Sequence, residues 1–398
     1  MQYLRGCDFV KNDVNGKTQI ADCHEISISD EDAIIEKEWE LQVQGHELPL
    51  NGSFDDLVKN KPNWIDPVKI KKGQKFAMEN YAGIAFSEML SLFILFASNK
   101  MGLDTLIYTK RSDTPYRAYR RYYLTSKIVK SWFETDLLTK GTKGNNNLQK
   151  VFQMHSRVQN EISSISNNDL QSKCEVTGNI MCPTLTKMQA DFKGIQNVGR
   201  PTVDLGHKNS TITQTNLSNT LFGFFGLVLL YPEWFGIHNY SEEDFEGFVH
   251  LWKTIGYYMG INDDYNICRG TFEEVTVRCR QYVQWAVIPN FRMVTNKWEH
   301  MSRCAAEGIQ IYMSGALPFS LSMCYLCDLL QIDASNLKES LGLLQRLKVW
   351  FSMIILKYMF KFLLVKKLCN HIVHQKLKKA SKEFKDEEFQ EKLKYIYI

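Results

Sequence analysis

The chain has 398 residues, of which 44% are hydrophobic, 23% charged and 12% aromatic, and 48 basic against 44 acidic residues leave a net charge of +4. That balance supports a substantial apolar core. The charge bias is too small, and recognition motifs too absent, to point to nucleic acid.

The first residues, MQYLRGCDFVKNDVNG, hold no apolar run and no cleavage pattern, so no signal peptide is expected. The ten cysteines lack regular spacing, and reduced thiols of an intracellular protein are the expectation. Residues 1–60 are polar and read as an N-terminal extension with one short helix. The segment PNWID at 62–66 marks the start of a helical body over 61–335. Residues 83–98 (GIAFSEMLSLFILFAS) are apolar nearly all round, with Glu88 as the one charge. The run is too short and too interrupted to span a bilayer comfortably and predicts a buried core helix. Residues 116–133 place Tyr116, Tyr119, Tyr122, Val129 and Phe133 at helical spacing. A turn follows at 141–147 (GTKGNNN), and a second amphipathic helix begins near Asn147.

Residues 166–213 are polar, contain Pro183 and Pro201, and read as a long loop or lid interrupted by a short helix around 185–192. An apolar helix over 216–230 ends before Tyr231-Pro232. Ser241 with two glutamates behind it predicts a helix start, and Phe245, Phe248, Trp252, Ile255 and Met259 form its apolar face. Cys324 and Cys327 form a lone CxxC in an apolar stretch; without a second pair they read as buried thiols. Residues 336–398 form a basic helical region whose apolar centre, 349–365, is interrupted by Lys357 and Lys361. Each lysine would cost about 2.5–3.5 kcal/mol at a bilayer centre. The stretch 336–380 therefore reads as a packed terminal helix or one in peripheral contact with a membrane surface, rather than a spanning one.

One histidine stands out. Leu148, Val151, Phe152, Val158, Ile162 and Ile165 define the buried face of their helix, and His155 falls on the same face. A neutral imidazole in an apolar pocket needs partners for its nitrogens. A metal ion or a haem iron is one kind of partner. A backbone carbonyl is the other, and this helix alone favours it. On the preceding helix Arg117, Arg121 and Thr125 lie four apart and share a face. Arg117, Lys127 and Lys130 read as a solvated basic stripe. His250, beside Trp252, is an alternative ligand; His371 and His374, three apart, would need further ligands to hold a metal.

The segments YRAYRRYYLT (116–125) and LQKVFQMHSRV (148–158) resemble the pattern of the rubber oxygenase (latex-clearing protein) and mpaB-type oxygenase family. Arg121 and Thr125 match its Arg-x-x-x-Thr element, and Val151, His155 and Val158 match the element around its histidine, at the family interval. The resemblance extends loosely over 60–330, through Asp66, Gly73, QTNLSNTLF (214–222) and 248–266. It implies an all-α chain with a globin-like helical core holding haem b. His155 would be the proximal iron ligand, and Arg121 and Thr125 would line the haem pocket and serve catalysis. The implied function is dioxygen-dependent oxidation or C=C cleavage of an apolar, isoprenoid or lipid-like small molecule. The mpaB-type members sit at the endoplasmic reticulum, and an intracellular chain, cytoplasmic or peripheral at the endoplasmic reticulum membrane, is the expectation here. The chain departs from the pattern at Leu124, where latex-clearing enzymes carry a lysine, and at Thr105, where the register places their glutamate base. Those departures leave a second expectation open: a catalytically silent haem-binding, lipid-binding or membrane-surface module on the same fold.

Overall fold

The computed structural model describes residues 10–12, 18–20, 28–50, 52–166, 169, 172–174, 176, 183–196 and 212–397. Much of the expected lid over 166–213 thus lies outside the described residues. The chain divides into two units, 1–41 and 42–398. The first holds a short antiparallel ribbon, β1 (Val10–Asn12) with β2 (Thr18–Ile20), in which Val10 faces Ile20. Helix α1 (Ile28–Gly45) starts in this unit.

The second unit is all-α. In chain order its helices begin with α2 (Phe54–Lys59), α3 (Pro67–Glu79), α4 (Tyr81–Ser98), α5 (Lys100–Tyr108), α6 (Pro115–Glu134) and α7 (Lys143–Ser163). Next come α8 (Pro183–Phe192), α9 (Gln214–Leu230), α10 (Glu242–Tyr258), α11 (Phe272–Tyr282), α12 (Asn296–Tyr312) and α13 (Phe319–Leu329). The last are α14 (Ser335–Glu339), α15 (Leu343–Lys357), α16 (Leu363–Glu383) and α17 (Glu387–Tyr397). The N-terminal stretch to residue 60 thus carries α1 and α2, more helix than its polar composition suggests. The helix expected around 185–192 is α8, and its Leu185, Met188 and Phe192 are buried.

Local chemistry sets many of these starts. Asp66 caps α3 by accepting from the Val68 and Lys69 amides, with Pro67 in the first turn where its missing N–H costs nothing. Thr114 with Pro115 does the same for α6. Ser241 and Asp244 close a reciprocal capping box at the start of α10. The apolar helices lie inside. Helix α4 is long and apolar enough to cross a membrane by composition, but more than half of it is buried in the protein, as befits a core helix. It packs on α9, α12 and α5, while α6 packs on α12, α7 and α3.

Two glycine crossings bring helices unusually close. A Cβ on Gly73 of α3 would sit 2.2 Å from the Gly247 carbonyl oxygen of α10. A Cβ on Gly308 of α12 would sit 2.5 Å from the Tyr119 amide nitrogen of α6. The basic C-terminal region is not one helix. It breaks at Tyr358–Phe362 into α15 and α16, with a short 3-10 turn over Met359–Lys361 between them.

Candidate functional site

Helices α6 and α7 form an antiparallel hairpin. Thr142 caps α7 by accepting from the Asn145 amide, and its hydroxyl also donates to the Asp136 carbonyl at 2.6 Å, which closes the turn. The Asn147 amide donates to the Ser131 hydroxyl at 2.7 Å and fixes the register. In an antiparallel pair, residues whose numbers sum to the same value lie opposite each other. Ser131 and Asn147 sum to 278, and Arg121 and His155 to 276. The two sums differ by two, so the hairpin sets His155 within two residues, about 3 Å of helical rise, of the level of Arg121.

The electrostatics agree with that placement. The His155 pKa is pushed down to about 4, first by loss of solvent and then by the charge of Arg121. The imidazole is therefore neutral at neutral pH. Its Nδ1 is sealed from solvent and has no hydrogen-bond partner. The guanidinium of Arg121 is itself desolvated, which lowers its pKa. It forms no hydrogen bond or ion pair among the described residues; its nearest ring is Tyr122, 6.0 Å from the guanidinium carbon. Thr125, one turn further along α6, is half-buried. Arg117 points away and pairs with Asp113 at 2.7 Å on the surface, as a solvated stripe should.

A third group completes the arrangement, and sequence reasoning did not assign it. Glu88 of α4 has its pKa raised to about 8 by burial alone, so it is mostly protonated at pH 7. Its Oε1 has no partner. Its charge would reach the Tyr312 phenol of α12, which Tyr122 also reaches. The Tyr312 hydroxyl pairs with the Ser126 hydroxyl at 3.2 Å. Burial raises the Tyr122 pKa, and the Ser112 side chain beside its hydroxyl lowers it as a hydrogen-bonding neighbour. A polar seam thus runs through the core from Glu88 past Tyr312 and Tyr122 to Arg121 and His155. The signal in the sequence was Glu88 standing alone among sixteen otherwise uncharged residues, 83–98.

Glu88, Arg121 and His155 each keep partial accessible surface, yet loss of solvent is the largest influence on the ionisation of all three. On α4 the half-buried residues Ala85, Glu88, Leu92 and Leu95 recur at helical spacing and form one stripe. Leu95 continues it onto Gly223 of α9, where an added Cβ would lie 2.6 Å from Cδ1. A separate open groove of about 520 Å³ runs along the opposite side of α7, beside Phe54, Phe152 and Ser156, and excludes His155.

The remaining sequence candidates pack against neighbours of their own, although the His374 Nδ1 is also buried without a hydrogen-bond partner. The His250 Nε2 accepts from the Asp66 amide at 3.0 Å, and its ring meets Trp64 edge-on. His374 stacks on Tyr81 with centroids 4.8 Å apart. No cluster of three or more histidine, cysteine or acidic side chains suited to a metal occurs among the described residues. Cys324 and Cys327 are buried free thiols. Leu124 is 42% exposed, and Thr105 is buried on α5. No protein-family model, no curated protein and no solved structure matches this chain.

Proposed function

We propose that the protein is a haem b-dependent oxygenase that uses dioxygen to oxidise or cleave an apolar, isoprenoid or lipid-like substrate, on a globin-like arrangement of the core helices. The observation that carries this reading is the unsatisfied seam. Buried polar side chains nearly always find partners. Here the Nδ1 of a neutral imidazole and the Oε1 of a protonated carboxyl lack them, beside a desolvated guanidinium that no acidic side chain among the described residues pairs with. A group that suits these side chains would accept from a cation, offer a Lewis acid to an imidazole and be apolar elsewhere. Haem b meets all three demands, with propionates, iron and a porphyrin face.

The donor chemistry fits. His155 would hold the iron through its ring, and Arg121 would bind a propionate. Nδ1 has no acceptor to raise the basicity of the ring, so His155 would be a comparatively weak donor, oriented by packing. When bound, the haem supplies the activation of dioxygen. Glu88 holds a proton on its carboxyl at neutral pH and can give it up inside the seam. The Thr125 hydroxyl can donate to an oxygen atom one helical turn from Arg121. The stripe of Ala85, Leu92 and Leu95 offers the apolar wall that an alkene would lie against and keeps water out.

A second reading keeps the cofactor and drops the chemistry. It is favoured by Leu124 and Thr105, which offer no ionisable group where latex-clearing enzymes have two. The purified protein, expressed with haem supply, distinguishes these readings. A Soret band that disappears in His155→Ala and survives in His250→Ala supports ligation by His155. Oxygen uptake with an apolar alkene then separates enzyme from binder. A colourless wild type that gives only the spectrum of free haemin on titration with haemin, with no shifted Soret band, overturns both.

A further inference from the structure

The outer surface of α15, α16 and the turn between them carries a concentration of exposed apolar side chains. Leu344 is 75% exposed, Trp350 55%, Phe362 66% and Leu364 82%. On α15, Leu343, Leu344, Leu347, Trp350 and Phe351 fall within one face; on α16, Leu364, Leu368 and Ile372 do the same. The elbow is held rigidly from behind. Phe360 is buried against Gly236, whose backbone is left-handed (φ 72°) and whose added Cβ would lie 2.1 Å from the Phe360 ring. The His238 Nε2 meets the Leu356 carbonyl at 2.8 Å, and Lys357 lies 3.7 Å above the Trp234 ring centroid. Asn370 of α16 bonds the Ala82 amide and the Glu79 carbonyl at 2.9 and 2.7 Å. These side chains are therefore presented outward by a packed scaffold.

Charge identifies what covers the patch. Residues 343–383 contain ten lysines and arginines and a single acidic residue, Glu383. Lys348, Lys361 and Lys367 are exposed alongside the apolar residues. Protein–protein interfaces are depleted of lysine, whereas helices lying in a bilayer interface combine an apolar face with flanking lysines and interfacial aromatics. Long lysine stems can also lie along apolar surface while their heads reach phosphates.

We infer that the α15–α16 elbow is a monotopic docking surface for an anionic lipid bilayer, with Trp350, Phe362 and Leu364 inserted below the headgroups and Lys361 and Lys367 on their phosphates. This inference stands apart from the reading of the internal seam and survives its failure. The test is flotation of the full chain with phosphatidylcholine vesicles, with and without phosphatidylserine. The wild type should float with the anionic vesicles and lose most of that binding in high salt. Phe362→Asp/Leu364→Asp should reduce the bound fraction at least tenfold. Both residues are exposed, so circular dichroism should be unchanged. Lys361→Glu/Lys367→Glu should weaken binding to anionic vesicles only. Two results would overturn the inference. One is a wild type that stays unbound with both vesicle types. The other is a concentration-dependent dimer in solution that Leu364→Asp dissolves, which would assign the face to a second copy of the chain.

Discussion

Replacing Glu88 with glutamine tests whether the core seam is as dry as its pKa values imply. Glutamine matches glutamate in size and cannot ionise. In the unfolded chain Glu88 titrates near 4.5, and in the folded protein near 8. Between those values the unfolded state releases a proton that the folded state keeps. The folded state binds more protons, so stability falls as pH rises, by about 1.4 kcal/mol per pH unit. The loss relative to Glu88→Gln should begin near pH 4.5, reach about 3 kcal/mol by pH 7 and level off near pH 8 at about 5 kcal/mol. His155 acts in the opposite sense. Its folded pKa near 4 lies below the unfolded 6.5, so its contribution is lost as pH falls through that window. Because the two slopes oppose each other between pH 4.5 and 6.5, the difference between wild type and variant is the quantity to measure. Urea unfolding at a series of pH values gives it directly. Parallel stability curves would mean that Glu88 is ionised and hydrated at neutral pH, and the dry seam would have to be abandoned.

Two further predictions concern the scaffold. The Asp191 carboxylate accepts from the Asn336 amide, the Asn336 side chain and the Leu337 amide at 2.7–2.9 Å, tying α8 to the start of α14. Asp191→Ala should cost about 3 kcal/mol and lower the urea midpoint; an unchanged midpoint would show that these three hydrogen bonds add nothing net to stability. Gly73→Ala should push α3 away from α10, where the closest approach is a carbonyl oxygen that cannot swing aside. A loss of about 1–3 kcal/mol and a lower Tm are expected, and a neutral result would mean that the two helices are not so closely apposed.

What could be read from the sequence was what the chain encodes locally. The hairpin of α6 and α7 is specified by Thr114, Pro115 and Thr142 at its helix starts, by a turn rich in glycine and asparagine, and by apolar periodicity on both arms. Arg121 and His155 belong to that hairpin, so their opposition follows from register, and a motif spanning both can register it. Glu88 belongs to a different kind of information. Nothing near it in the chain says which helices it will face, because α4 meets its neighbours only across the core. The elbow at Tyr358–Phe362 is similar. No proline or glycine breaks the basic helical region there. The break coincides with Phe360 seating on Gly236, more than a hundred residues earlier, and without that contact local propensity would favour one continuous helix. The same distinction bears on the seam. At neutral pH its carboxyl is protonated and its imidazole uncharged, so Arg121 contributes the unbalanced charge. On the proposed reading, a haem propionate would meet that charge where the local α6–α7 pattern and the distant α4 converge.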